Sequence, residues 1–102
     1  MSFLHPLACL FSGMILANAV PHFVHGISGD RFPTPFAKPP GKGLSSPTTN
    51  MAWALANLAA GYVLLRVGGL ASGGDATKAA FFAGIAIIGL LSSRLFATKH
   101  NP

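Results

Sequence analysis

Two histidines, His22 and His25 in the run PHFVH, come nearest in this chain to residues whose type and spacing could do chemistry. At positions i and i+3 they share one face of a helix. There they could hold a metal together or relay a proton. No third ligand is evident, and the spacing is not HExxH. Two more histidines, His5 and His100, sit near the chain ends. The blander account is a pair of amphipathic rings at a membrane interface. His22 and His25 are thus weak metal candidates, and no cofactor is expected.

Other chemistry finds little footing. The chain has one cysteine, Cys9, inside an apolar block, where such a residue usually acts as a small hydrophobe. It has no glutamate, and its two aspartates, Asp30 and Asp75, fall between the apolar blocks. Proton-driven transport through a small membrane protein relies on an embedded carboxylate, and none is present within those blocks. No Ser/His/Asp order or Cys/His pair marks a nucleophile. Gly41-Lys42-Gly43 is not a phosphate loop, because Gly43 stands where Ser or Thr is needed and Phe36 where the first Gly belongs. An enzyme is not expected.

The elements that must carry these residues follow from composition. Hydrophobic residues make up 51% of the 102 residues and charged residues 9%. A soluble domain carries about 25% charged residues, and a disordered chain is poor in apolar ones. A chain of this composition has a surface that faces lipid. The net charge of +5 comes from Lys and Arg scattered between apolar blocks. That pattern suits loop charges beside anionic headgroups better than a nucleic-acid surface.

Three apolar blocks predict three transmembrane helices in an all-α integral membrane protein, one membrane domain over residues 1–102. Helix 1 is expected over about 3–25. It is uncharged until Asp30, with Pro6 tolerated in its first turn, Pro21 kinking or loosening its far end and Gly26 as its stop. Twenty apolar residues rise about 30 Å, the hydrocarbon thickness. Ala17-Asn18-Ala19 resembles a signal-peptidase site, but the segment before the block lacks Lys and Arg, so helix 1 is expected to be retained. Residues 26–47 read as a long Pro/Gly-rich loop, where five prolines favour extended backbone. Its Phe32-Pro33-Thr34-Pro35-Phe36 stretch is expected to dock on the protein's own helix ends, in preference to a partner groove or the headgroup layer.

Helix 2 is expected over about 48–67, capped by Ser46, Thr48 or Asn50, with Trp53 at one interface and Arg66 at the other. Helix 3 is expected over about 76–97 with Asp75 as its cap, and its uncharged core from Ala79 to Ser93 is short enough for an interfacial alternative. Small residues four apart let helices approach closely in lipid. Ala52, Ala56 and Ala60 form such a stripe on helix 2, and Gly84 lies on one in helix 3. Asn18 and Asn57 are deep polar residues expected to bond between helices.

The expected function is that of a small multi-pass accessory or interaction subunit, partnered by the bilayer and by another membrane protein or a second copy. The alternative is a small transport or channel component. A bacterial-type inner membrane is expected, with the long loop and the C-terminus cytoplasmic. That side would hold Arg31, Lys38, Lys42, Arg94 and Lys99, against Arg66 and Lys78.

Overall fold

The computed structural model describes residues 3–97, so Lys99 and His100 lie outside the described residues. Three helices account for most of the chain: α1 Leu4–Ile27, α2 Pro47–Gly68 and α3 Asp75–Leu95. Each is long and apolar enough to cross a membrane. The molecule measures 48 × 23 × 21 Å, and its long axis is comparable to a bilayer with headgroups, about 40–45 Å.

Local chemistry sets the helix ends. Ser46 caps α2: its Oγ accepts from the Thr49 N–H at 3.1 Å, and Pro47 occupies the first turn. At the other end Gly69 adopts φ +62°, a left-handed C-cap open to glycine without strain. Two expectations give way. Asp75 is the first residue of α3, not its cap, and Gly74 holds the cap position without a side-chain bond. Its carboxylate still sits in the first turn, where the helix dipole favours an anion. Gly26 does not stop α1, which runs on through Pro21 to Ile27. A Cβ at Gly26 would meet the Met51 backbone at 2.9 Å, so this glycine admits the start of α2.

The central element is α1, with α2 and α3 both packed on it and scarcely touching each other. Contact with α2 runs along Asn50, Ala54, Asn57, Gly61 and Gly68, one stripe of that helix. At Gly61 a side chain would collide with Leu16, and the Ser12 hydroxyl donates to the Gly61 carbonyl at 2.7 Å. The α1–α3 crossing is a pair of reciprocal glycines. A Cβ at Gly13 would strike the Phe81 carbonyl, and one at Gly84 would strike the Leu10 carbonyl.

The segment between α1 and α2 holds two short strands, β1 Phe32–Pro33 and β2 Leu44–Ser45. They pair antiparallel, with Phe32 opposite Ser45. Phe32, Pro33 and Thr34 are buried. The Phe32 ring stacks on His25 (centroids 4.4 Å apart), meets His22 edge-on and touches Phe96 at 4.7 Å. These contacts tie the segment to the end of the bundle where α1 and α3 finish and α2 begins.

Candidate functional site

The chain's polar chemistry gathers at that end. Asn50, fully buried in the first turns of α2, is its hub. Its Nδ2 donates to the carbonyls of Phe32 (3.0 Å), Ser45 (3.3 Å) and Ser46 (3.1 Å). Three carbonyl acceptors fix which end of the amide is nitrogen. Its Oδ1 therefore accepts, and the donor is His22 Nδ1–H at 2.8 Å. That bond sets the tautomer of a neutral His22: Nδ1 carries the proton and Nε2 keeps its lone pair. One amide thereby joins α1, both short strands and the cap of α2. Beside it Thr34 Oγ1 and Ser45 Oγ lie 2.5 Å apart, both buried.

The two histidines both contact Phe32 but take different hydrogen-bond partners. His25 turns to Asp30, with Nδ1 3.4 Å from the carboxylate, and to the face of Phe32. Among the described residues no group of three or more His, Cys, Asp or Glu side chains could hold a metal. Cys9 is buried where α1 meets Gly68.

A hollow of about 240 Å³ lies beside the network, lined among others by Asn18, His22, Thr34, Lys42, Trp53 and Phe96. Deeper along the bundle Asn18 Nδ2 donates to Asn57 Oδ1 at 3.2 Å, and Asn57 Nδ2 donates to the Trp53 carbonyl at 2.8 Å. Trp53 Nε1 is buried with no hydrogen-bond partner among the described residues, and its ring meets Phe36 edge-on. The site offers fixed hydrogen bonds and aromatic surface, an arrangement suited to holding segments together or binding a small molecule.

The other singled-out residues fall in two groups. Gly84 is buried against the α1 backbone. Ala52, Ala56 and Ala60 are exposed, and the buried face of α2 lies on the neighbouring stripe through Asn57. Sequence reasoning weighed Asn50 only as a cap and passed over Thr34 and Ser45. A buried amide four residues past a capping serine was the available signal for Asn50. Nothing local marked the Thr34–Ser45 pair.

No protein-family model, no curated protein and no solved structure matches this chain. The class that the fold defines is a helical protein with three segments, each apolar and long enough to span a bilayer.

Proposed function

We propose that this protein crosses a bilayer three times and serves as an accessory subunit, contacting another membrane protein or a second copy through the free face of α2. The observation that carries this reading is the outward stripe of Ala52, Ala56 and Ala60. In lipid, small side chains permit close backbone approach, which takes the place of the hydrophobic drive between helices. Inside the chain that role falls to Gly61, Gly13 and Gly84, so the alanine stripe is left over. The internal polar groups support the same reading, because Asn18 bonds Asn57 and His22 bonds Asn50.

A transport role is the second reading, favoured by the hollow beside His22 and Asn18. Orientation belongs to the proposal too. Arg31, Lys38, Lys42 and Arg94 lie toward the end where α1 and α3 finish, and Arg66 and Lys78 toward the other. That asymmetry supports a cytoplasmic loop and C-terminal end in a bacterial-type inner membrane.

Cysteine-directed cross-linking in native membranes tests the subunit reading. With Ala56→Cys, a discrete cross-linked species is expected, and Leu64→Cys should give much less. If Ala56→Cys yields only monomer while purified protein in liposomes passes solute, the transport reading replaces this one.

A further inference from the structure

We infer that the groove between α1 and α3 is a binding site for one acyl chain of an anionic phospholipid, with its phosphate held at the loop end of the bundle. The inference rests on the reading that the helices span a bilayer.

The groove has a volume of about 650 Å³. One wall is Leu16, Val20 and Val24 of α1, and the other includes Ile85 and Gly89 of α3. It exists because α3 packs closely on α1 at Gly13 and Gly84, and farther along Gly89 has nothing within 4 Å of its Cβ direction. Its depth suits one leaflet. From Leu16 to His25 the helix rises about 13 Å, and from Ile85 to Phe96 about 16 Å, at about 1.5 Å per residue. Half the hydrocarbon core is about 15 Å. An acyl chain entering from its own leaflet would run the length of the groove and no farther.

The lining changes character along that length. The deep part is aliphatic, and His25, Ser92 and Ser93 join it toward the loop end, where Phe32 and Phe96 meet. Charge at this end has one dominant sign. Arg31 precedes Phe32, Arg94 follows Ser93, and Lys38 and Lys42 lie on the same connecting segment, against Asp30 as the acid there among the described residues. An excess of basic residues at a membrane surface favours anionic over zwitterionic headgroups. Aliphatic depth, leaflet length and a cationic end together match an anionic phospholipid. A neighbouring helix would match only the apolar part.

The test reconstitutes the full chain in nanodiscs of equal phosphatidylglycerol and phosphatidylcholine with identical acyl chains. Mild detergent extraction and native mass spectrometry then read the retained lipid. One phosphatidylglycerol per protein is expected, retained about tenfold over phosphatidylcholine. Gly89→Leu fills the groove from a position with open space, so it should abolish retention without lowering the melting temperature. Replacing Arg31 and Arg94 together by Gln should bring the two lipids toward equal retention. Equal retention of both lipids by the parent, or undiminished retention by Gly89→Leu, overturns the inference. So does a disulfide-linked dimer formed through Gly89→Cys, which would put a second copy in the groove. Release of the parent protein from membranes by alkaline carbonate would sink the bilayer reading as well. Resistance to carbonate with no retained lipid sinks only this inference.

Discussion

Replacing Asn50 by Leu should loosen the segment between α1 and α2 far more than it perturbs the helices. Leucine has the branching and heavy-atom count of asparagine and favours a helix more, so the helical backbone of α2 loses nothing. What is lost is the set of bonds from one amide. The His22 contact at 2.8 Å goes, as do the Nδ2 bonds to Phe32, Ser45 and Ser46. Two hydrogens serve those three carbonyls, and the Ser46 carbonyl also accepts from the Asn50 backbone N–H at 3.0 Å. The effective loss is therefore about three bonds, each worth about 0.5–1.5 kcal/mol. His22 Nδ1–H, in a residue only 3% exposed, is left facing a methyl group. A total of about 2–4 kcal/mol follows, concentrated where the segment attaches. If the segment opens locally, about 2 kcal/mol raises the open population about thirtyfold. Arg31 and Lys42 are exposed and neither precedes a proline, so trypsin reads that opening directly. The expected result is cleavage after Arg31 and Lys42 accelerated at least tenfold in micelles, about one decade for each 1.4 kcal/mol, with helical circular dichroism unchanged. Parent-like cleavage together with an unfolding free energy within about 0.5 kcal/mol of the parent would refute the account of Asn50 as the clamp.

Gly84→Leu should cost at least the roughly 1–3 kcal/mol of overpacking, because its Cβ alone strikes the Leu10 carbonyl, whereas Gly89→Leu should be neutral or stabilising; reversible unfolding in mixed micelles separates them. Asn18→Leu and Asn57→Leu should each destabilise, with a coupling energy of about 0.6–1.7 kcal/mol in a double-mutant cycle, and additive effects would show that the 3.2 Å bond contributes nothing. Ala56→Leu should leave the isolated protein's unfolding nearly unchanged, since Ala56 is exposed, and Ala60→Leu built into the Ala56→Cys protein should abolish its cross-linked species. His25→Gln should be nearly silent in unfolding while His22→Phe, which removes the donor to Asn50, costs about 1–2 kcal/mol; equal effects would contradict their different surroundings.

The sequence by itself determined the three helices. Charge is nearly absent from three stretches of about twenty residues, and a long apolar run with glycine or proline punctuation has few other solutions. It also narrowed the start of α2 to Ser46, Thr48 or Asn50, because a cap acts on its own next few residues, and the structure selects Ser46. The rotation of α2 about its axis was decided only by the tertiary structure. Ala52–Ala56–Ala60 and Asn50–Ala54–Asn57–Gly61 lie on adjacent stripes, and both are small enough to pack. The choice fell to contacts from α1: Leu16 against Gly61, Ser12 to the Gly61 carbonyl, and Asn18 to Asn57. Those partners are 39 to 49 residues away in sequence and leave no local periodicity. The different hydrogen-bond partners of His22 and His25 have the same origin. One helix face places them together with Phe32 against both rings, but Asn50 bonds the first and Asp30 the second, each from a segment whose path only the folded chain defines.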